Sequence, residues 1–508
     1  MRSAGILLPV TALPSPFGIG TMGESARRFI QFLKKSGQSY WQILPLNPTS
    51  YGDSPYQSFS SFAGNPYLID LDELKKDGLL KAEEYETLHW GDDPACVDYG
   101  LLYETRFPVL QKAASRLQAH FSDAFARFCQ ENAAWLEDYA LFMALKDEFS
   151  GKPWLEWPKE LKNREPNALQ QAGERLCDSV RFWKAVQFFF FNQWQALKQY
   201  ANDNHIQMIG DLPIYAAADS ADIWASPEQF QLDDERNPIE VAGCPPDGFS
   251  ADGQLWGNPL FDWDSMKKDG FSWWIRRISY QFRLYDVLRV DHFRGFDAYY
   301  AIPAGAKNAQ NGRWRTGPGI EFFRALERAL GKKNIIAEDL GFLTPSVHQL
   351  LKDTGYPGMK VLEFAFDSRD GGGSNYLPHN YPHHCIAYIG THDNETALGW
   401  LENAPPEDVA LAREYLHLDP AEGEHWGMMR ALWASPAGCT IVQMQDLLGL
   451  GHEARFNTPS TVGQNWRWRA EKGFDSDALA KRIHRQMELY ERLAPQPKQK
   501  SEEKASLE

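Results

Sequence analysis

Three carboxylates follow three short apolar runs that are typical of buried strands. Asp291 comes after V-L-R-V, Glu338 after I-I-A, and Asp393 shortly after the run I-A-Y-I. Short runs of branched apolar residues bounded by turn residues indicate buried parallel strands. In an α/β barrel the side chains at the carboxyl ends of the strands gather on one face, where catalytic groups lie. The sequence therefore predicts that these three carboxylates share one cleft.

Such a set of side chains suits glycosyl chemistry. One carboxylic acid protonates the leaving oxygen, and in retaining enzymes a second carboxylate about 5–5.5 Å away attacks the anomeric carbon. His292 and His392 stand beside two of the carboxylates, and Arg289 precedes Asp291 by two residues. A single Asp of this kind would more often be a structural ion-pair partner. Three strand ends of the same design favour catalysis.

The same histidines are potential metal ligands. A metal-dependent barrel hydrolase usually carries an H-x-H strand, and this sequence has neither that pattern nor a dense ligand cluster. We therefore expect no metal and no other cofactor.

The composition is that of an ordinary soluble globular protein. Of 508 residues, 43% are hydrophobic and 24% are charged. The net charge of −16 argues against a nucleic-acid partner. The 18 tryptophans include candidates for stacking on sugar rings, although most should be core. Six scattered cysteines without a C-x-x-C pair, and no signal or membrane-length apolar run, predict a cytoplasmic protein that does not bind membranes.

The elements that must position these residues predict a single α/β domain. Eight strand candidates, most of them separated by helical stretches, indicate a parallel (β/α)8 TIM barrel. The predicted strands lie at 6–10, 40–46, 207–211, 287–290, within 334–341, and at 360–364, 386–389 and 439–444. The first helix is predicted to begin with a capping box made by Thr21 and Glu24.

Residues 1–495 are predicted to form this one catalytic domain, with two insertions. The segment 73–204 is helical in pattern and rich in aromatic residues, so it should be a mainly α-helical insertion between strands 2 and 3. The segment 216–283 is rich in Gly, Pro and Asp and should form a loop or lid over the carboxyl face of the barrel. The polar tail, 496–508, is expected to be disordered. The aromatic stretch 51–67 is either a surface loop or a ligand-facing wall.

Several motifs, in a fixed order, resemble those of a known family. R-V-D-H-F-R-G-F, A-E-D-L-G and G-T-H-D-N-E-T resemble the signature regions of the α-amylase clan. Together with S-Y-G-D-S-P-Y-Q-S-F-S, G-D-L-P-I-Y and the P-P-D-G-F-S…W-G-N-P loop, they are similar to glycoside hydrolase family 77, the 4-α-glucanotransferases. The resemblance runs from about Leu7 to Arg469, without a departure at a signature position.

The resemblance implies a role for each carboxylate. Asp291 would be the nucleophile that forms a covalent glycosyl-enzyme, and Glu338 would be the general acid and then the general base. Asp393 would hold sugar hydroxyls and stabilise the transition state, while Arg289 would keep Asp291 ionised. Other residues that the resemblance implies in substrate binding are His292, His392, Asn394, Ser54, Tyr56, Asp211, Asp247, Phe249, Trp256 and Asn465.

Residue chemistry alone leaves hydrolysis and transfer open, because both pass through one glycosyl-enzyme and differ only in the attacking group. The resemblance implies transfer of a segment of an α-1,4-glucan to the 4-hydroxyl of another glucan or of glucose, by a monomer or a weak homo-oligomer. A non-catalytic glucan-binding protein is a further alternative, although it would not need Glu338. An aldolase or isomerase of phosphorylated sugars would need a phosphate site or a Schiff-base lysine, and no strand end supplies one.

Overall fold

The structure is a computed structural model that describes residues 2–50, 52–246, 252–341, 343–369 and 373–495. The strands in this part of the chain are β1 (Ser3–Leu7), β2 (Tyr40–Gln42), β3 (Gln207–Leu212), β4 (Glu240–Cys244), β5 (Gln254–Pro259), β6 (Val287–Val290), β7 (Ala298–Pro303), β8 (Arg313–Thr316), β9 (Ile335–Ala337), β10 (Gly358–Val361), β11 (Cys385–Tyr388) and β12 (Cys439–Gln443). The helices are α1 (Glu24–Lys35), α2 (Leu71–Lys76), α3 (Tyr99–Glu148), α4 (Lys159–Lys162), α5 (Pro166–Arg175), α6 (Cys177–Asp203), α7 (Ala221–Ala225), α8 (Trp263–Lys268), α9 (Ser272–Leu284), α10 (Gly319–Leu330), α11 (Pro345–Thr354), α12 (Ala397–Asn403), α13 (Pro406–Leu416), α14 (Glu424–Ala434), α15 (Met444–Leu448) and α16 (Asp477–Leu489).

Eight of the strands form one parallel sheet in the order β10-β11-β12-β1-β2-β3-β6-β9. The sheet curls until its two edges meet, where the backbone N–H of Ala337 donates to the carbonyl of Pro357 at 3.0 Å. Helices follow most of the strands. The predicted (β/α)8 barrel is confirmed.

Several strands are shorter than predicted, and prolines explain the first two. The predicted strand at 6–10 is found three residues earlier, as β1, and the predicted strand at 40–46 ends after Gln42. Pro9 and Pro45 lie in the parts that do not pair. Proline has no backbone N–H to donate to a neighbouring strand, so it limits how far a central strand extends.

The predicted capping box at the start of α1 is wrong. The N-cap of this helix is Gly23, which has no side chain with which to cap it. The hydroxyl of Thr21 instead donates to Oδ2 of Asp70 at 2.6 Å. A tertiary partner 49 residues away therefore takes the side chain that the local pattern assigned to the helix.

The long segment between β2 and β3 is dominated by two helices, α3 and α6. Helix α3 consists of two helical stretches joined at a kink at Phe121. All four phenylalanines of the run in α6 are buried, because this helix lies between α3 and the barrel. Phe188 contacts three phenylalanine rings of α3, and Phe190 packs so closely on Gly64 that a Cβ there would lie 2.0 Å from its ring. Among the described residues, no helix is both long and apolar enough to cross a membrane.

A second sheet lies beside the barrel. It is antiparallel, in the order β5-β4-β7-β8, and Glu240 ties it together through ion pairs of 2.9 and 2.6 Å to Arg313 and Arg315. The segment 216–283 contributes β4 and β5 to this sheet. The rest of the segment includes the helices α7 and α8 and nearly all of α9. Residues 247–251, between β4 and β5, lie outside the described part of the chain.

Candidate active site

The three carboxylates all lie just past the carboxyl ends of barrel strands. Asp291 follows β6 and Glu338 follows β9, which is the neighbouring strand, whereas Asp393 lies on the loop after β11. Backbone bonds continue past the β6–β9 pairing, since Glu338 N–H donates to the carbonyl of Val290 at 3.0 Å. The first two carboxylates are therefore carried by adjacent, directly bonded segments.

One buried guanidinium serves two carboxylates. Nη1 of Arg289 donates to Oδ1 and Oδ2 of Asp211 at 2.7 and 2.6 Å, and to Oδ1 of Asp291 at 3.1 Å. Arg289 is 3% exposed, so its charge is only weakly screened by solvent. Asp211, at the end of β3, is the closer partner and competes with Asp291 for the same cation.

The pKa of Asp291 reflects its burial and the charges around it. Burial raises the pKa of its carboxyl well above the ordinary value, and the charges of Asp211, Glu338 and Asp393 raise it further. The charge of Arg289 lowers it, as the sequence predicts, but does not outweigh these effects. The site therefore tends to retain a proton.

Glu338 is held by two backbone donors. The N–H of His292 donates to Oε2 at 2.7 Å, and the N–H of Leu340 donates to Oε1 at 2.8 Å. His292 adopts a left-handed backbone conformation, with φ 48° and ψ 49°, which costs of the order of 1–3 kcal/mol for a residue other than glycine. Burial raises the pKa of Glu338, while Arg289 and the two N–H groups act in the opposite direction.

Asp291 and Glu338 belong to one titrating unit. The charge of Glu338 is among those that raise the pKa of Asp291. When two ionisable groups interact this strongly, the measured pKa values belong to the pair. The charge of Arg289 lowers the pKa of both carboxyls, and its guanidinium lies in direct contact with Asp291, at 3.1 Å.

Tyr56 and His392 connect Asp211 to Asp393. The hydroxyl of Tyr56 donates to Oδ2 of Asp211 at 2.8 Å, so Nε2 of His392, also at 2.8 Å, must donate to the Tyr56 oxygen. The two rings stack with centroids 5.2 Å apart. Burial lowers the pKa of His392, and its Nε2 lies 3.4 Å from Oδ2 of Asp393. A neutral imidazole with its proton on Nε2 therefore links Tyr56 to Asp393.

Asp393 is more open than Asp291, with 43% of its side chain exposed against 27%. Nδ2 of Asn457 donates to its Oδ1 at 2.6 Å. The neighbouring Asn394 shapes the turn, because its Oδ1 accepts from the N–H and hydroxyl of Thr391 at 2.9 and 2.8 Å. Asn394 thus acts on the loop that carries Asp393.

The structure brings some of the other predicted residues to the cleft. Trp256, on β5, has its ring 4.9 Å from that of His292 at an interplanar angle of 88°. Burial, helped by Arg294, lowers the pKa of His292 to about 3, so this imidazole is neutral. Ser54 accepts the N–H of Tyr56 at 3.2 Å and shapes the loop that presents the tyrosine.

Other predicted residues are placed differently. Asp211 and His392 are each 1% exposed and lie beneath the cleft, where they support its surface. The side chain of Asn465 bonds Thr458 and Thr461 within its own loop. The predicted residues Asp247 and Phe249 lie outside the described residues.

Sequence reasoning missed three residues of the loop after β12 and α15. Arg455 and Asn457 bond Asp393, and the ring of Trp466 lies 5.7 Å from Tyr56 and 6.0 Å from His392. The signal that could have found them is their position. Loops after barrel strands meet on the catalytic face, and R-F-N-T-P follows the eighth strand.

In the described residues, no group of three or more His, Cys, Asp or Glu side chains is arranged to hold a metal ion. The two imidazoles beside the carboxylates are engaged otherwise, since His392 bonds Tyr56 and His292 packs against Trp256.

Comparisons with known proteins agree on one family. A family model described as 4-alpha-glucanotransferase matches residues 8–475. A 4-alpha-glucanotransferase of Clostridium butyricum is 48% identical over 486 residues, which is 95% of this chain and 99% of that protein. One from Thermus thermophilus is 47% identical over 97% of this chain and 99% of its own. Among solved structures, an amylomaltase from Streptococcus agalactiae in complex with acarbose superposes with a TM-score of 0.94 at 43% identity, covering 97% of this chain and 100% of its own.

Proposed function

This chain belongs to the 4-alpha-glucanotransferase family, and on that premise we propose that it moves a segment of an α-1,4-glucan to the 4-hydroxyl of another glucan or of glucose. The anomeric configuration is retained through two displacements. The observation that carries the proposal is the pairing of Asp291 and Glu338 at adjacent strand ends, joined by the N–H of His292.

In the first displacement the donor glucan is cleaved. Glu338 gives its proton to the leaving glycosidic oxygen while a carboxylate oxygen of Asp291 attacks the anomeric carbon. The C1–O bond of the donor breaks, a C1–O bond to Asp291 forms, and the fragment on the reducing-end side leaves with the proton on its new 4-hydroxyl. Burial and the surrounding carboxylates favour a proton on the pair, which is the state that this step needs.

In the second displacement the acceptor takes the place of the leaving group. Glu338, now ionised, accepts the proton of the acceptor hydroxyl, and the acceptor oxygen displaces Asp291 from C1. The enzyme returns to its starting protonation. Asp393, held by Asn457, supports the sugar hydroxyls as positive charge develops at the ring.

We propose that Arg289, Asp211, Tyr56 and His392 form the support of this machinery. Asp211 and His392 are almost wholly buried and bond other site residues, so they act on the sugar through Tyr56, Asp291 and Asp393. Tyr56 and Trp256 are half-buried aromatic side chains at the cleft and suit contact with sugar rings.

Hydrolysis is the alternative fate of the glycosyl-enzyme. Water is far more concentrated than any glucan, so transfer requires a preference for a sugar hydroxyl of about 10⁴, or roughly 5.5 kcal/mol at ~1.4 kcal/mol per decade. Well-oriented attack can supply this, because effective molarities reach about 10⁵ M or more. The aromatic side chains of Tyr56 and Trp256 at the cleft favour such orientation, and family membership favours transfer.

We also propose that the enzyme works in the cytoplasm as a monomer or a weak homo-oligomer on α-1,4-glucans. All six cysteines carry free thiols, which is compatible with a reducing compartment.

Incubation with maltotriose tests the proposed reaction. Transfer conserves the number of glycosidic bonds, so glucose and longer oligosaccharides should form while the total of reducing ends stays constant. A steady rise in reducing ends without longer products would identify a hydrolase. No change in the substrate, together with measurable glucan binding, would identify a binding protein.

A further inference from the structure

Arg455 makes three contacts with its single guanidinium. Nη2 donates to the backbone carbonyl of Asp393 at 2.8 Å, and Nε donates to the backbone carbonyl of Asn457 at 2.8 Å. Nη1 lies 3.2 Å from Oε2 of Glu395. A guanidinium is planar and its donors point in fixed directions, so three simultaneous bonds fix the relative placement of the groups that accept them.

Two of these acceptors belong to residues whose side chains meet. Asn457 donates from Nδ2 to Oδ1 of Asp393 at 2.6 Å, across a separation of 64 residues in the sequence. Arg455 therefore fixes the distance between the backbone segments of Asp393 and Asn457. At that distance the Asn457 amide bonds the Asp393 carboxylate and fixes its orientation. The other oxygen of Asp393 faces Nε2 of His392 at 3.4 Å.

This inference rests on the role proposed above for Asp393. We propose that Arg455 is a positioning residue for the reaction, which holds the Asp393 carboxylate toward the sugar through Asn457. It touches neither the nucleophile nor the acid/base, and its effect passes through the loop after β11.

The charge of Arg455 is balanced locally. Oε2 of Glu395, which faces the guanidinium, also lies 2.7 Å from Nδ1 of His452. The arginine therefore acts chiefly through geometry. Arg455→Lys is the informative substitution, because lysine keeps the charge but presents its donors from one point and cannot reproduce the planar fork.

We expect Arg455→Lys to lower kcat by about 10²-fold with little change in KM, since misplacement by about 1 Å can cost that much. The decisive comparison is a double-mutant cycle with Asp393→Ala, followed with an activated glucosyl fluoride so that slow turnover is measurable. In the Asp393→Ala background, Arg455→Lys should lower the rate by no more than about twofold, because its target is gone. Asn457→Ala should show the same coupling, and it serves as the second variant where Arg455→Lys does not fold.

Arg492→Lys is the matched control. Arg492 is buried, whereas 19% of the Arg455 side chain is exposed, but the guanidinium of Arg492 likewise holds backbone carbonyls, those of Ser3, Trp433, Ser435 and Ala437. This replacement should lower the thermal midpoint, while any effect on kcat should be the same with and without Asp393. Such a result separates general destabilisation from positioning.

Two outcomes overturn the inference. A wild-type kcat in Arg455→Lys would show that the planar guanidinium is not needed. An equal loss of kcat with and without Asp393 would show that Arg455 does not act through Asp393. Near-normal activity of Asp393→Ala alone would instead contradict the proposed role of Asp393, so failure of the two proposals can be told apart.

Discussion

At the scale of single residues, the site is defined by a shortage of positive charge. Arg289 bonds both Asp211 and Asp291, while Glu338 and Asp393 add two further carboxylates nearby. Burial and these carboxylates outweigh the one cation, so the pair of Asp291 and Glu338 tends to hold a proton. A retaining transferase needs that proton on Glu338 when the donor is cleaved.

Asp211→Asn tests this balance through the pH dependence. The charge of Asp211 raises the pKa of Asp291, and Asp211 also competes for Arg289. Removing that charge should lower the pKa of Asp291, so the nucleophile stays ionised to lower pH. We expect the acidic limb of the kcat/KM profile to move down by about one unit or more, as neighbouring charges typically cause.

Asp339→Asn is the control for that profile. Asp339 lies beside Glu338 and raises the pKa of Glu338, and the change in charge is the same. It should move chiefly the alkaline limb, and the acidic limb much less. An acidic limb that does not respond to Asp211→Asn, or that moves upward, contradicts the assignment of this limb to Asp291.

The three carboxylates proposed as catalytic are predictable from the sequence, whereas the residues that support them are only partly so. Asp291, Glu338 and Asp393 are found because each follows an apolar run. Arg455 and Asn457 lie in an irregular loop, and what brings them to Asp393 is a contact across 64 residues. Local pattern carries no information about which loops meet.

At the scale of elements, β3 shows how tightly the barrel positions the site. A Cβ on Gly210 would lie 2.2 Å from the ring of Tyr285, which is itself buried against Trp194. The next residue, Asp211, binds Arg289, which also bonds Asp291, so a displacement of β3 is passed on to the proposed nucleophile.

Gly210→Ala should therefore lower both stability and activity. We expect a loss of about 1–3 kcal/mol in the free energy of unfolding, measured by denaturant titration, because overpacking a core costs this much. Gly173→Ala in α5 is the control, since no atom lies within 4 Å of the Cβ position. It should stabilise by roughly 0.4–1 kcal/mol without changing kcat. Equal behaviour of the two variants would show that the close contact with Tyr285 does not constrain β3.

The β4–β5 hairpin should affect the choice between transfer and hydrolysis. Trp256 lies on β5, with its ring against His292, the residue after the nucleophile. If its indole orients the acceptor, Trp256→Ala should lower transfer more than hydrolysis. The ratio of reducing ends formed to glucan redistributed should then rise. A parallel fall of both activities, with the ratio unchanged, would mean that Trp256 serves only the donor.

The barrel strands could be predicted from the sequence, but the second sheet could not. A buried parallel strand leaves a short apolar run, and all eight runs correspond to barrel strands. The antiparallel sheet pairs β4 with β7, although β6 of the barrel lies between them in the sequence. Its strands include Gly243, Gly257 and several charged residues, so they do not show the alternation that identifies half-buried strands.

At the scale of the whole molecule, a buried carboxyl should make stability depend on pH. Asp446 is 1% exposed, and burial raises its pKa from 3.8 to about 7. Glu363, also buried, lies close enough for the charge of Asp446 to raise its pKa further. The folded protein thus binds protons that the unfolded chain releases.

The sign of the effect follows from that proton binding. Between about pH 4 and 7 the folded state holds a proton on Asp446 that the unfolded state does not, so stability falls as pH rises. Three pKa units correspond to at most about 4 kcal/mol at 1.36 kcal/mol per unit. Asp446→Asn removes this titration, so its unfolding free energy relative to wild type should rise across the same window. A difference that stays flat with pH would show that Asp446 is not the titrating group.

Trapping of the glycosyl-enzyme tests the central claim most directly. Glu338→Gln with a glucosyl fluoride should react once, because fluoride leaves without a proton, and then stall because no base activates the acceptor. Mass spectrometry of the intact protein should show one added glycosyl unit, and peptide mapping should place it on Asp291. The doubly substituted Asp291→Asn/Glu338→Gln protein should stay unlabelled. A label on any other residue, or labelling that persists without Asp291, would contradict the proposed mechanism.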